Sequence, residues 1–247
     1  MIPTTQKEFK ALGWDAPDII LFTGDAFIDH PAFGTAVIAR VLENAGYRVA
    51  VVPQPNWRDD LRDFRKLGEP KLFFGVTSGA MDSMVNHYTA AKRLRSNDAY
   101  TPGGKASFRP DYAVTAYTRI IKEIFPQVPV VIGGIEASLR RLTHYDYWQD
   151  MLKPSILVES GADLLVYGMG ERPICAIADT LAGGAPLRAL QSILQVGYLS
   201  DTEPLTEHIT LESFENCKAE KRKFAANFNI IEAQANSMEP QILVEKC

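Results

Sequence analysis

The densest set of chemically capable side chains lies in one short stretch, where Arg140 and Arg141 precede His144, Asp146, Tyr147 and Trp148. Guanidinium groups beside aromatic rings suit a phosphate or carboxylate that carries a ring. The same residue types are enriched where proteins bury surface, so Arg140, Arg141, His144 and Tyr147 equally describe an interface, including one with a second copy of the chain. The His144-x-Asp146 spacing is open to a metal ion, but no third ligand stands nearby in the sequence and no metal is expected. Arg93, Arg95, Arg109 and Asp111 flank Pro102-Gly103-Gly104, where an arginine set closing over an anion competes with ordinary solvated loop charge.

A second set is defined by where it falls relative to short apolar runs. Four such runs end at Asp25 to Pro31, Thr77 to Gly79, Gly133 to Glu136 and Gly168 to Glu171. In open α/β sheets the loops beyond the carboxyl ends of the strands meet along one edge, and ligands bind there. Asp25, Asp29, His30, Ser78, Gly133, Gly134, Glu136 and Glu171 are therefore expected to line a crevice for a nucleotide-like or corrin-like molecule. Glycines admit close backbone approach and helix N-termini supply free N–H groups, although each Gly-Gly pair alone also suits a tight turn. No Ser/His/Asp triad, GxSxG elbow, Walker loop or acid–base carboxylate pair is present. Gly168-Met169-Gly170 lacks the third glycine of a dinucleotide fingerprint.

The elements that must position these groups follow from periodicity. Ile19 to Phe22 is an apolar run, Phe33 to Ala45 repeats apolar residues at helical spacing with Gly46 at the C-cap, and Val49 to Val52 is a second run. A crossover of that length implies parallel strands. Further strands are expected at Lys71 to Val76, Val128 to Ile132, Ser155 to Val158 and Asp163 to Tyr167, with an edge strand at Val196 to Leu199. Helices are expected over Trp57 to Lys66, Met81 to Arg95, Asp111 to Phe125 with Asp111 as N-cap, Glu136 to Leu142, and from Glu171 to about Ala182. Asn86, His87, Tyr88, Lys92, Arg93 and Arg95 make the second of these unusually rich in groups that can hold a ligand, and the long Ser96 to Arg109 loop is of the kind that is usually functional or mobile. The fold class is thus a doubly wound, mainly parallel α/β sheet over residues 1–200, followed by a helical appendage and extended tail over 201–247.

At 247 residues and 46% hydrophobic, the chain can bury one large core. Its net charge of −4 argues against a nucleic-acid surface as its main function. With neither a leader-like apolar segment nor a membrane-spanning run, a cytoplasmic location is the expectation. Cys175, Cys217 and Cys247 are widely separated, which gives no disulfide framework and no iron–sulfur or zinc spacing.

Two resemblances extend this reading. The first strand and helix resemble cobalamin-binding domains, which carry Asp-x-His-x-x-Gly with the histidine as lower axial cobalt ligand. Asp29 and Gly34 keep that separation, but the ligand position is Pro31 and His30 is displaced by one residue, where hydrogen bonding to a neighbour is the alternative role. More specifically, NHYTAAKRLRSNDAYTPGG, FRPDYAVTAYTRIIK, VVIGGIEASLRRLTHYDYW and DLLVYGMGER closely resemble the N-terminal region of the YgiQ-type radical SAM proteins. That resemblance runs from Asp18 to about Gln234. It implies a cobalamin-binding-type domain preceding a barrel whose CxxxCxxC thiolates hold a 4Fe-4S cluster that cleaves S-adenosylmethionine. No such motif occurs here, so cluster and S-adenosylmethionine are expected only in a longer parent, with the barrel as this chain's partner. The implied role is an accessory domain without turnover of its own; a stand-alone corrinoid- or nucleotide-binding module and a structural or dimerisation domain are the alternatives.

Overall fold

A computed structural model describes residues 1–27, 29–30 and 32–247. In chain order the elements are α1 (Gln6–Ala11), β1 (Ile19–Thr23), α2 (Gly34–Asn44), β2 (Val49–Pro53), α3 (Arg62–Arg65), β3 (Phe73–Thr77), α4 (Ser83–His87), α5 (Ala113–Ile124), β4 (Val130–Ile132) and α6 (Gly134–Leu139). They continue with β5 (His144–Asp146), β6 (Met151–Lys153), α7 (Ile156–Ser160), β7 (Leu164–Val166), α8 (Glu171–Ala182), β8 (Val196–Gly197), β9 (His208–Thr210), α9 (Phe214–Ala219), α10 (Lys221–Ala235) and β10 (Ile242–Val244).

The six-stranded sheet runs in the order β2-β1-β3-β4-β7-β8. Its first five strands are parallel and β8 pairs antiparallel at the edge. The α/β class with a mostly parallel sheet is therefore as expected. Every residue of β1 is buried, the signature of a strand covered on both faces. On one face Phe22, Phe64, Phe74 and Tyr117 form a core under α3 and α5, with Phe22 stacked on Phe64 at 5.3 Å. On the other, Leu21, Leu42, Val51 and Ile177 pack beneath α2 and α8. Gly46, at φ +95°, ends α2 in the left-handed conformation that a glycine adopts without strain. Because the chain leaves β1 for β2 on one side and later returns to β3 on the other, the topological switch point lies between β1 and β3.

Several local expectations fail for identifiable reasons. Ser155 to Val158 is helical, not extended: the Ser155 hydroxyl caps the Leu157 amide and Gly161 closes the turn at φ +74°. Trp57 to Lys66 keeps only the turn α3, because Asp59, Asp60 and Asp63 accept from the Leu61, Arg62 and Asn56 amides and offer the backbone an alternative to a helix. Met81 to Arg95 shrinks to α4, after which Tyr88 and Leu94 form an antiparallel bridge. Asp111 does not cap α5; Tyr112 does so, at φ +49° and without a side-chain bond. The aromatic stretch after α6 becomes the β5–β6 hairpin.

Beyond residue 200, β9 and β10 make a two-stranded parallel sheet with α9 and α10 between them. The Thr143 amide donates to Glu245 Oε2 at 2.8 Å, so the end of the described chain lies beside the β5–β6 hairpin. Among the described residues no helix is long and apolar enough to cross a membrane.

Candidate functional site

At the switch point the segment after α4 folds back across the strand ends. The Ala26 amide donates to the Tyr100 carbonyl at 3.0 Å, Gln54 Nε2 bridges Gly24 O and Thr101 Oγ1, and Trp57 Nε1 donates to Phe108 O. From this strap Arg109 inserts its guanidinium between β1 and β3, with 1% of the residue exposed. Nη1 donates to Ser78 O at 2.8 Å, while Nη2 reaches Asp25 Oδ1 and Asp98 Oδ2, each at 3.2 Å. Asp25 also accepts from the Ala80 amide at 2.7 Å. Burial raises the Asp25 carboxyl above the usual aspartate range, opposed by the Ala80 amide and the guanidinium. The guanidinium is thus held through both terminal nitrogens by two buried carboxylates and a carbonyl, while its Nε is buried without an acceptor, and the paired charges are what keep the cation out of water.

A second buried group stands beside it. Glu136, fully buried, accepts from the Ser83 and Val114 amides, each at 2.9 Å. Those amides open α4 and α5, so two helix dipoles converge on one carboxylate. Burial and the neighbouring Asp82 push the Glu136 carboxyl upward, against Arg140 and the Ser83 contacts. Arg140 pairs with Asp82, which caps α4 through the Met84 and Val85 amides.

The expected crevice residues are thus distributed differently from a ligand lining. Asp25, Ser78 and Glu136 are buried in protein contacts, and the Ser78 hydroxyl donates to Met81 O. Asp29 pairs with Arg40, and together with His30 it borders a 410 Å³ groove along α2. His30 Nδ1 accepts from the Ala32 amide at 3.2 Å and its ring lies 4.3 Å from Phe33, so it does bond to a neighbour. Pro31 lies outside the described residues. Gly133 is extended and Gly134 sits at φ +81°, where a Cβ would collide with Thr77 Oγ1. Glu171 opens α8.

The arginine and aromatic set also divides. Arg140 is consumed by Asp82; Arg141 donates to Ser138 O and lies 5.3 Å over the Tyr167 ring. Burial holds the His144 imidazole below its usual value, while Nδ1 contacts Leu142 O. Tyr147, half-exposed, donates to Ala90 O and carries Lys92 Nζ 4.7 Å above its ring. Nothing in the sequence marks Arg109, Asp82 and Asp98 as buried partners of the strand ends. The one signal it offers is an arginine beside a proline in a long loop, which does not distinguish a buried anchor from a solvated charge. Among the described residues no three His, Cys, Asp or Glu side chains are placed to hold a metal ion.

A family profile described as radical SAM N-terminal matches residues 1–247. The chain belongs to the radical SAM N-terminal family. Curated relatives of the radical SAM N-terminal chain include a UPF0313 protein of Porphyromonas gingivalis, 60% identical over 99% of this chain and 39% of the relative, and one of Bacteroides thetaiotaomicron, 54% identical over 95% and 40%. The chain spans about 40% of the length of these relatives. Among solved structures, a radical S-adenosylmethionine methyltransferase, TsrM, from Kitasatospora setae with cobalamin and a [4Fe-4S] cluster bound is similar at TM-score 0.50 and 19% identity, over 75% of this chain and 29% of that one. That similarity is one of fold.

The residues of this radical SAM N-terminal domain do not fit a corrinoid at the switch point. A Cβ at Gly24 would strike the Ser78 carbonyl and one at Gly79 would strike the Asp25 carboxylate, so the space that these glycines leave is already filled by the chain itself. The Arg109 side chain packs against the same place, its Cδ 3.5 Å from a Cβ at Gly24 and its guanidinium on Ser78 O and Asp25.

Proposed function

We propose that this chain is an accessory domain that covers a radical SAM barrel supplied by a longer parent, and that it holds no corrinoid itself. The observation that carries this reading is the self-filled switch point: Arg109 binds Asp25, Asp98 and Ser78 O at the strand ends where a ligand of an open α/β sheet would otherwise approach. The same edge presents apolar side chains to solvent. Ile135 and Leu139 lie one turn apart on α6, and Met169, 74% exposed, follows Gly168, whose amide donates to Ser138 Oγ on that helix. Exposed apolar groups clustered on one edge suit a protein partner. The length of the relatives supports a barrel following residue 247, and residues 201–247 would lead toward it. The 4Fe-4S cluster and S-adenosylmethionine would belong to that barrel.

The test joins two measurements. The coding sequence and intact mass of the natural product should reveal a longer chain with CxxxCxxC. In that product, hydrogen exchange at α6 and Gly168–Gly170 should be slower than in the 247-residue chain. Equal exchange rates would reject docking at this edge. Titration with hydroxocobalamin should leave its absorption spectrum unchanged, whereas a saturable shift would restore the corrinoid-binding alternative.

A further inference from the structure

Three stretches far apart in sequence meet at a cavity of about 290 Å³ separate from the switch point. Met84 and Tyr88 come from α4 and its exit, Lys92 from the strap, Asp111 and Tyr112 from the entry to α5, and Trp148 from the hairpin turn. Asp111 is half-exposed and held at both oxygens: Oδ1 lies 2.7 Å from His87 Nδ1, and Oδ2 accepts from the Tyr88 hydroxyl at 2.8 Å. It caps no helix; its bonds tie the exit of α4 to the entry of α5 and hold the carboxylate in place at the cavity. Tyr88, Tyr112 and Trp148 wall the cavity with rings, and a carboxylate among aromatic faces is the arrangement that recognises an organic ammonium.

Lys92 lines the same cavity. Its Nζ rests over the Tyr147 ring and contacts Trp148 O at 3.3 Å. Asp111 is hydrogen-bonded to His87 and Tyr88, and among the described residues Lys92 Nζ contacts no carboxylate, which leaves its ammonium to serve an anion. The Trp148 indole N–H is buried without an acceptor. Two of the lining residues, Lys92 at φ +58° and Tyr112 at φ +49°, are held in the left-handed region although neither is glycine. Such strain is concentrated at sites where geometry matters for function.

We propose that this cavity binds an α-amino-acid zwitterion, its ammonium on Asp111, its carboxylate on Lys92 and its side chain against Met84 and the rings. The volume stands at the lower limit of ligand pockets and suits one amino acid rather than a nucleotide or a corrin. Binding of this ligand requires no barrel and is independent of the docking reading above.

The test titrates the 247-residue chain with L-methionine, L-lysine and L-tryptophan, with butylamine and butyrate as half-ligands, following the Trp148 indole N–H resonance by NMR. At least one amino acid should shift that resonance saturably, with each half-ligand bound about tenfold or more weakly, the effect expected of losing one hydrogen-bonded charge. Asp111→Asn should weaken the amino acid by about tenfold or more. Lys92→Gln, on the surface and without a part in the core, should abolish discrimination between the amino acid and its methyl ester. No saturable shift with any of the three amino acids, butylamine binding as tightly as the amino acid, or an unaltered preference in Lys92→Gln would each overturn the proposal. An unchanged amide spectrum in Lys92→Gln keeps the result readable if Asp111→Asn does not fold.

Discussion

At the scale of single residues, Arg109 shows how a loop charge becomes an architectural one. Its two carboxylate partners are themselves buried, so removing the guanidinium strands both. Arg109→Met should therefore lower stability by about 3–5 kcal/mol, read as a fall in the urea midpoint. A loss under about 1 kcal/mol, the scale of an exposed pair, would show that the strap does not depend on it. His144 offers a pH test. Burial holds its folded value below 6.5, so its contribution to stability is present above that pH and is lost as the pH falls through the lowered folded value. Acid unfolding should be shallower over that window in His144→Gln. A histidine resonance titrating at or above 6.5 would exclude the effect.

At the scale of elements, the loop after β4 separates two kinds of glycine. Gly133 is extended, and a methyl group added there would meet only the Val166 carbonyl, at 3.4 Å, whereas Gly134 combines φ +81° with a collision against Thr77. Gly133→Ala should cost little and Gly134→Ala about 1–3 kcal/mol, by thermal or urea unfolding. If both glycines instead lined a ligand crevice, the two changes would act alike on ligand affinity and leave stability unmoved. Glu136 gathers the openings of α4 and α5, so Glu136→Gln turns one amide acceptor into a donor and should cost about 1–3 kcal/mol. Much of this level is legible in the sequence: α2, α5 and α8 through their apolar spacing, and the strands through short buried runs. The helix α7 is not, because three consecutive apolar residues, Ile156 to Val158, carry no period that separates strand from helix. The Ser155 cap and Gly161 decide it.

At the scale of the molecule, the appendage is fastened back onto the sheet domain through Glu245 and the Thr143 amide. Burial raises the Glu245 carboxyl, and α9 packs toward β6. Glu245→Ala should speed hydrogen exchange across β9 and β10 by about tenfold or more, and unchanged rates would mean that the appendage is held by other contacts. That attachment brings residues 242–247 beside the hairpin that carries Tyr147 and Trp148.

The sequence by itself determined the sheet class, the main helices and family membership, because buried strands and amphipathic helices leave local periodic patterns and the four diagnostic strings are long and ungapped. It also placed the strand-end residues along one edge. Only the tertiary structure decided what that edge does. Whether Asp25, Ser78 and Glu136 face solvent or protein depends on where the segment from Tyr88 to Asp111 travels, and that segment has no period to predict its path. Arg109 and Asp98 become partners of Asp25 through that path alone. Likewise Tyr88, Asp111 and Trp148 are brought to one cavity by packing between distant elements, a relation that spacing along the chain does not encode.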